Sequence, residues 1–181
     1  MNTEPLRRIV VPIVDAPFHA LVDPTSGAIL AAGFATEHDP GARDLERRLA
    51  RLDSAAVERG IEPGPGGPAG ERVLSALRAY AAGEVEAIES LPVQQPETPF
   101  RGEVWRALRR VPAGQPVTYT ELAALAGRPT AVRAAASGCA NNLVALVVPC
   151  HRIVRRDGGL GGYLFGTGIK RRLLELEAAA D

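Results

Sequence analysis

The sequence holds little with which to build disulfides or metal centres. It has two cysteines, Cys139 and Cys150, and three histidines in 181 residues. Two cysteines cannot form a disulfide framework, and no repeated Cys/His spacing of the zinc type occurs. This usage fits a reducing, cytoplasmic setting. A long apolar run is also missing. In MNTEPLRRIVVPIVDAPFHALV, basic residues precede an apolar stretch, but Pro12 and Asp15 interrupt it before a signal-peptide core or membrane span could form. We therefore expect a soluble chain with no cleaved leader and no membrane partner. At 46% hydrophobic residues the material is ordinary globular protein, enough for one large domain or two small ones.

The formal net charge is zero, yet the charge is unevenly spread. Residues 1–100 carry nine arginines against fifteen acids, whereas residues 101–181 carry twelve basic residues against six acids. A basic half joined to an acidic half points to a polyanionic partner for the C-terminal part, or else to charged helix faces that are simply solvated.

Residues 7–36 alternate apolar runs with turn signals, and Asp-Pro-Thr-Ser-Gly between two such runs reads as a hairpin connection. Leu45, Leu49 and Leu52 recur at helical spacing. GIEPGPGGPAG, residues 60–70, is too rich in Gly and Pro for either regular structure, and ERVLSALRAYAAGE returns to a helix. A second proline-rich break, SLPVQQPETPF, coincides with the change in charge sign. The boundary is placed there, giving an α/β N-terminal domain over 1–95, a small antiparallel sheet with helices, and a mainly α C-terminal domain over 96–181.

In the second part, RGEVWRALRRV puts Val104, Leu108 and Val111 on one helical face. Thr118 and Glu121 have capping-box spacing, so a helix should run from Tyr119 to about Gly127. Thr130 can cap a following helix, AVRAAASGCAN, and the pair has the outline of a helix-turn-helix. From Ala134 to Ala140 no side chain exceeds a cysteine in size, and Arg133 is the one long residue in the first turn. Such a helix either packs in a crowded core or enters a narrow groove backbone-first; the DNA minor groove, about 6 Å wide, would demand that paring.

LVALVV reads as a short buried strand, and Cys150 ends it beside His151. A lone cysteine packs as a small hydrophobe. An adjacent imidazole allows a second reading, because a thiol becomes a useful nucleophile when a neighbour takes its proton. In a strand the two side chains would point to opposite faces, so they can cooperate only if the chain turns there or a water bridges them. In the last helix Ile169, Leu173 and Leu176 form an apolar face, and Lys170 and Glu177 lie about 10 Å apart along the axis, too far for an ion pair.

PCHR, the Asn142 eight residues before the cysteine, and the downstream GGY…G…K…LL…E series resemble the O6-alkylguanine-DNA alkyltransferases, the methylated-DNA–protein-cysteine methyltransferase family. The resemblance runs from about Thr98 to Glu177 and is loose in the N-terminal third. It implies a winged helix-turn-helix C-terminal domain and direct-reversal DNA repair: one alkyl group moves from guanine O6, and in some cases thymine O4, to Cys150. It assigns His151 as the water-bridged base, Glu177 as the carboxylate orienting it, Tyr119 as the donor to the departing guanine, and Asn142 as a further catalytic residue. Substrate contacts would come from Tyr163, Lys170, Val148, Leu164 and Phe165. DNA contacts would come from Arg133, which fills the space left by the extruded base, and from Ala134, Thr118, Arg155 and Arg156. The alkylated cysteine is a thioether that nothing in the site can hydrolyse, so one molecule repairs one base. The implied partner is double-stranded DNA carrying O6-alkylguanine, bound by a monomer, with neither metal nor cofactor.

The chain departs from the family pattern at Leu143, where proline is usual, and at Leu164 and Phe165, where small residues are frequent. Phe165 is expected to narrow the pocket so that methyl adducts outpace benzyl-sized ones. Cys139 is expected to serve packing. Two rival readings remain: a lesion-binding or regulatory module that transfers nothing, and a cysteine hydrolase, which would need an oxyanion hole that no motif marks.

Overall fold

Residues 3–180 are described by a computed structural model. The alternating segments near the N-terminus form three antiparallel strands, β1 (Leu6–Ile13), β2 (Ala16–Val22) and β3 (Ile29–Phe34). Asp-Pro-Thr-Ser-Gly joins β2 to β3 as expected, and Asp23 Oδ1 accepts from the Thr25 and Ser26 amides to fix the turn. A tighter hairpin precedes it. Val14 and Asp15 both have positive φ, 47° and 61°, the two-residue geometry whose twist matches paired strands. The Gly/Pro-rich stretch is more ordered than its composition suggests. Ile61–Pro63 forms β4, which adds to β1 in parallel, so the sheet order is β3-β2-β1-β4. Pro68 then opens helix α3 (Pro68–Ala81), where its missing N–H costs nothing.

Both faces of this sheet are covered, which explains why all six residues of β3 are buried rather than every second one. On one side lie α1 (Arg43–Leu52) and α2 (Ser54–Glu58), with Leu45 and Leu49 packed on Leu21, Leu30 and Ala31. Leu52, expected on that apolar face, is 50% exposed because the helix ends there and the chain turns away at Asp53. On the other side Val73, Leu77 and Tyr80 of α3 join a core that also contains Val104, Leu108, Val111 and Leu173 from the C-terminal half.

The C-terminal half contains α4 (Pro99–Leu108), α5 (Tyr119–Leu125), α6 (Val132–Ala140) and α7 (Thr167–Ala178). The capping box before α5 is present in full: Thr118 Oγ1 accepts from the Glu121 amide, and Glu121 accepts from the Thr118 amide. The cap of α6 differs from expectation, since Ala131 occupies that position with no side-chain bond. Helix α6 is instead held through its two buried residues, Ala135 and Gly138. Trp105 Nε1 donates to the Gly138 carbonyl at 3.0 Å, and a Cβ at Gly138 would meet Val104 at 2.8 Å. Two short strands, β5 (Val117–Thr118) and β6 (Ile153–Val154), pair in parallel and close the helix-turn-helix.

LVALVV is not a regular strand. Only Val144 bridges to a neighbour, Ala32 of β3, and Leu146 has φ of 73°. Two backbone bonds to Ala32 flank that bridge, and burial of every residue from Leu143 to Val148 to 4% exposure or less holds the rest of the run in place. No helix among the described residues is long and apolar enough to cross a membrane.

Candidate functional site

The left-handed turn at Leu146 and the proline at 149 bring the chain into a 3₁₀ turn at Cys150–Arg152. Cys150 and His151 therefore follow each other around a turn rather than alternating across a strand. Cys150 lines a cavity of about 260 Å³ together with Tyr119, Asn142, Tyr163, Leu164 and Phe165, and with Ala136, Cys139 and Ala140 of α6. Cys139, expected only to pack, thus shares the cavity with the other thiol. Gly161 has φ of 69°, and a side chain there would press on the Tyr119 hydroxyl, so glycine lets the loop before Tyr163 cross that ring.

Burial raises the Cys150 thiol above its ordinary pKa, and a donor on sulfur works against this shift. Asn142 Nδ2 lies 3.3 Å from Sγ and also donates to the Val148 carbonyl at 2.8 Å. Lys170 and Arg48 add positive charge that favours the thiolate. Lys170 is the chain's single lysine, fully buried at the start of α7, and its Nζ donates to the Ile153 carbonyl at 2.5 Å.

His151 lies behind the cavity and is fully buried. Its Nε2 is 2.9 Å from Glu177 Oε1. Glu177 also accepts from the Tyr80 hydroxyl at 2.8 Å and from two nitrogens of Arg152, Nε at 3.0 Å and Nη2 at 2.9 Å. Burial alone would raise the carboxyl pKa, but the bonds from His151 and Arg152 outweigh it and hold the group down at about 2. An ionised carboxylate surrounded by donors places the imidazole hydrogen on Nε2. Nδ1 then carries the lone pair, and it has no partner among the described residues. Burial lowers the His151 pKa, against the raising effect of Glu177, and so favours the neutral ring.

The other candidate residues fall into two groups. Phe165 lines the cavity but is seated against the N-terminal sheet, edge-on to Phe34 at 5.8 Å and to Tyr163 at 5.4 Å. Val148 is buried and contributes its carbonyl to Asn142 rather than a wall to the cavity. Lys170 and Glu177, which could have been plain surface charge, are both buried, and each serves a different partner. Arg133 and Ala134 are exposed on α6, Thr118 caps α5, and Arg155 and Arg156 are exposed on the loop after β6. Arg155 is ion-paired to Asp157 at 2.5 Å. Two members of the buried network went unforeseen. Arg152 stands inside PCHR directly after His151, and Tyr80 sits at ordinary apolar spacing in α3, so nothing local marks either as a partner of Glu177.

Residues 99–179 match the family model for the DNA-binding domain of 6-O-methylguanine DNA methyltransferase. The methylated-DNA–protein-cysteine methyltransferase of Shigella flexneri is 39% identical over 136 residues, covering 73% of this chain and 77% of that protein. The regulatory protein Ada of Salmonella typhimurium is 50% identical over 111 residues, but the match spans only 61% of this chain and 31% of Ada. Similarity to the Ada of Escherichia coli likewise reaches only 25% of its length. The fold is shared with Mycobacterium tuberculosis OGT, crystallised in complex with DNA, at a TM-score of 0.72 and 28% identity over 97% of this chain and 93% of that one. With 39% identity running over 73% of this chain and 77% of the Shigella flexneri protein, the chain that carries this buried thiol and oriented histidine belongs to the methylated-DNA–protein-cysteine methyltransferase family.

Proposed function

We propose that the protein repairs duplex DNA by moving a methyl or other small alkyl group from guanine O6 to Cys150 Sγ, once per molecule. In this reaction the S–C bond forms as the C–O bond breaks at a saturated carbon, so no tetrahedral oxyanion arises. The thiol proton passes to His151 Nδ1 through one water. Ionised Glu177 stabilises the imidazolium that results, much as a carboxylate does in a Cys-His-acid triad. Charge builds on the departing guanine, and the Tyr119 hydroxyl at the cavity wall donates to it. Asn142 Nδ2 supports the developing thiolate.

The base must leave the stack to reach a thiol on a cavity floor. Helix α6 would enter the minor groove, where Ala134 and the other small residues let its backbone approach and Arg133 occupies the vacated space. Arg155 and Arg156 would meet phosphate and make affinity depend on salt. Tyr163, Leu164 and Phe165 would bound the site of the flipped base, Lys170, buried outside the cavity lining, would act on it through its charge, and residues 1–95 would support residues 96–181.

One observation carries this reading: the His151 ring has Nε2 fixed by an ionised carboxylate and Nδ1 free, directly after the thiol in a tight turn. To test it, the protein is mixed with duplex DNA containing O6-methylguanine and its intact mass is measured. A gain of one methylene mapped to Cys150 is expected, with one equivalent consumed per protein. Unchanged protein bound to the lesion would replace this reading by a binding module, and multiple turnovers would replace it by a hydrolase.

A further inference from the structure

Among the described residues Asn142 is the one side chain that donates to the Cys150 sulfur, and its own position is set from outside the half that carries the proposed chemistry. Its two amide hydrogens go to Val148 O and Cys150 Sγ, while Oδ1 accepts from the Val144 amide at 3.1 Å and from Gln95 Nε2 at 3.3 Å. Gln95 uses its other end as well: Oε1 accepts from the Leu143 amide at 2.9 Å. Arg48 of α1 reaches the same peptide, donating from Nη2 to the Asn142 carbonyl at 3.1 Å. The other side of the segment is tied to β3, where Ala32 donates to Leu143 O and accepts from Ala145 N. The Leu143 side chain is buried with Leu6, Leu45 and Leu49 in the N-terminal core.

We infer that Arg48 and Gln95 are positioning residues for the thiol: together they clamp the Asn142–Leu143 peptide so that Asn142 presents Nδ2, and not Oδ1, to Cys150. The amide of Asn142 has two orientations. A donor at Oδ1 from Gln95 and another from Val144 select the one that puts hydrogen on sulfur, and an acceptor at that place would favour the reverse. Without Gln95 the buried Leu143 N–H would lose its partner, a cost that the segment would relieve by moving. Arg48 plays a second part, since its guanidinium is half-buried and its Nη1 has no partner among the described residues. Its positive charge acts on Cys150 and favours the thiolate. The N-terminal half thus supplies both the hold on the donor and a share of the field. The inference rests on the proposed alkyl transfer for its functional meaning, but its geometry concerns the thiol alone.

Two variants and a reagent that needs no DNA separate the two claims. Gln95→Glu keeps an acceptor for the Leu143 amide but sets an acceptor against Asn142 Oδ1, and Arg48→Met keeps the bulk while removing the charge. Iodoacetamide labelling of Cys150, followed over pH by peptide mass spectrometry, reads the ionisation of that thiol. We expect its midpoint to rise by roughly one pH unit in each variant, so that labelling near neutral pH slows about tenfold. Single-turnover methyl transfer should slow by a similar factor while affinity for lesion DNA is unchanged. Gln95→Glu paired with Asn142→Asp, which leaves no amide to flip, should show no additional loss from the Gln95 change. A midpoint equal to the wild type in both variants overturns the clamp, even if thermal stability falls, because a purely structural contact lowers melting without moving thiol ionisation. If the wild type fails to take up methyl while the midpoints move as stated, the clamp stands and the proposed transfer falls.

Discussion

Replacing Glu177 by glutamine tests the buried network at its centre. The carboxylate is 1% exposed and accepts from Tyr80, Arg152 and His151 at once. Glutamine offers one oxygen and turns an NH₂ toward donors, leaving the Arg152 guanidinium, itself 3% exposed, without its counter-charge. Removing one partner of a buried pair costs about 3–5 kcal/mol, since the surviving charge remains in a poor dielectric. For a chain of this length each kcal/mol lowers Tm by about 2–4 °C, so Glu177→Gln should melt roughly 6–20 °C lower. Methyl transfer should slow on the order of a hundredfold, because the imidazole loses both its orientation and the charge that stabilises its protonated form. Differential scanning calorimetry and quench-flow on O6-methylguanine DNA measure the two effects. The double variant Arg152→Met/Glu177→Gln should recover part of the lost stability and little of the rate, since it removes the orphaned charge but restores no partner to His151. A single variant melting within about 2 °C of the wild type, with an unchanged rate, would refute the assignment of Glu177 as the anchor of the site.

Acid should destabilise the protein in two steps. Burial lowers the His151 pKa, so the unfolded chain takes that proton first and stability begins to decline as pH falls below 6.5. Glu177, held at about 2 against an ordinary 4.5, adds stability that is complete above pH 4.5 and is lost as pH falls toward 2, on the order of 3 kcal/mol. Urea unfolding at several pH values should show both declines, and Glu177→Gln should flatten the lower one; a wild-type curve level from about pH 7 to 3 would contradict the network. Phe165→Ala should widen the cavity and raise the ratio of benzyl to methyl transfer at a cost of about 2 kcal/mol in stability, whereas Gly33→Ala, whose Cβ would collide with the Phe165 ring, should lower that ratio. Equal ratios in wild type and Phe165→Ala would remove Phe165 from specificity. Arg133→Ala should slow transfer from duplex DNA about tenfold and leave reaction with the free O6-methylguanine base unaffected, as expected of a residue that supports extrusion rather than chemistry.

Much of this protein could be read along the chain because much of it is local. The capping box at Thr118 and Glu121, the paired helices with an arginine ahead of small residues, and the hairpin at Asp-Pro-Thr-Ser-Gly each depend on neighbours within a few positions. PCHR and the ordered series after it pointed to the chemistry through side chains whose spacing a single turn and a single helix preserve. The composition also misled locally: glycine and proline between residues 60 and 70 still allowed a parallel strand and a helix start, because one edge of β1 needed a partner and proline suits the first turn.

Tertiary structure decided whether those residues could work together. Sequence suggested a strand before Cys150, which would have turned His151 away; burial on every side allowed the chain to turn at Leu146 and Pro149 instead. The Tyr80 hydroxyl meets Glu177 across 97 positions, and Gln95 reaches Leu143 across 48. Such pairs leave no periodic trace in a sequence, since one side chain's partner at that distance is selected by packing and by the need of buried polar groups to be satisfied. The order of residues alone sets a thiol beside an imidazole, at Cys150 and His151. The folded core determined that the thiol has a donor, that the imidazole has a free nitrogen, and that Arg48 and Gln95 of the acidic half bond to the peptide next to that donor.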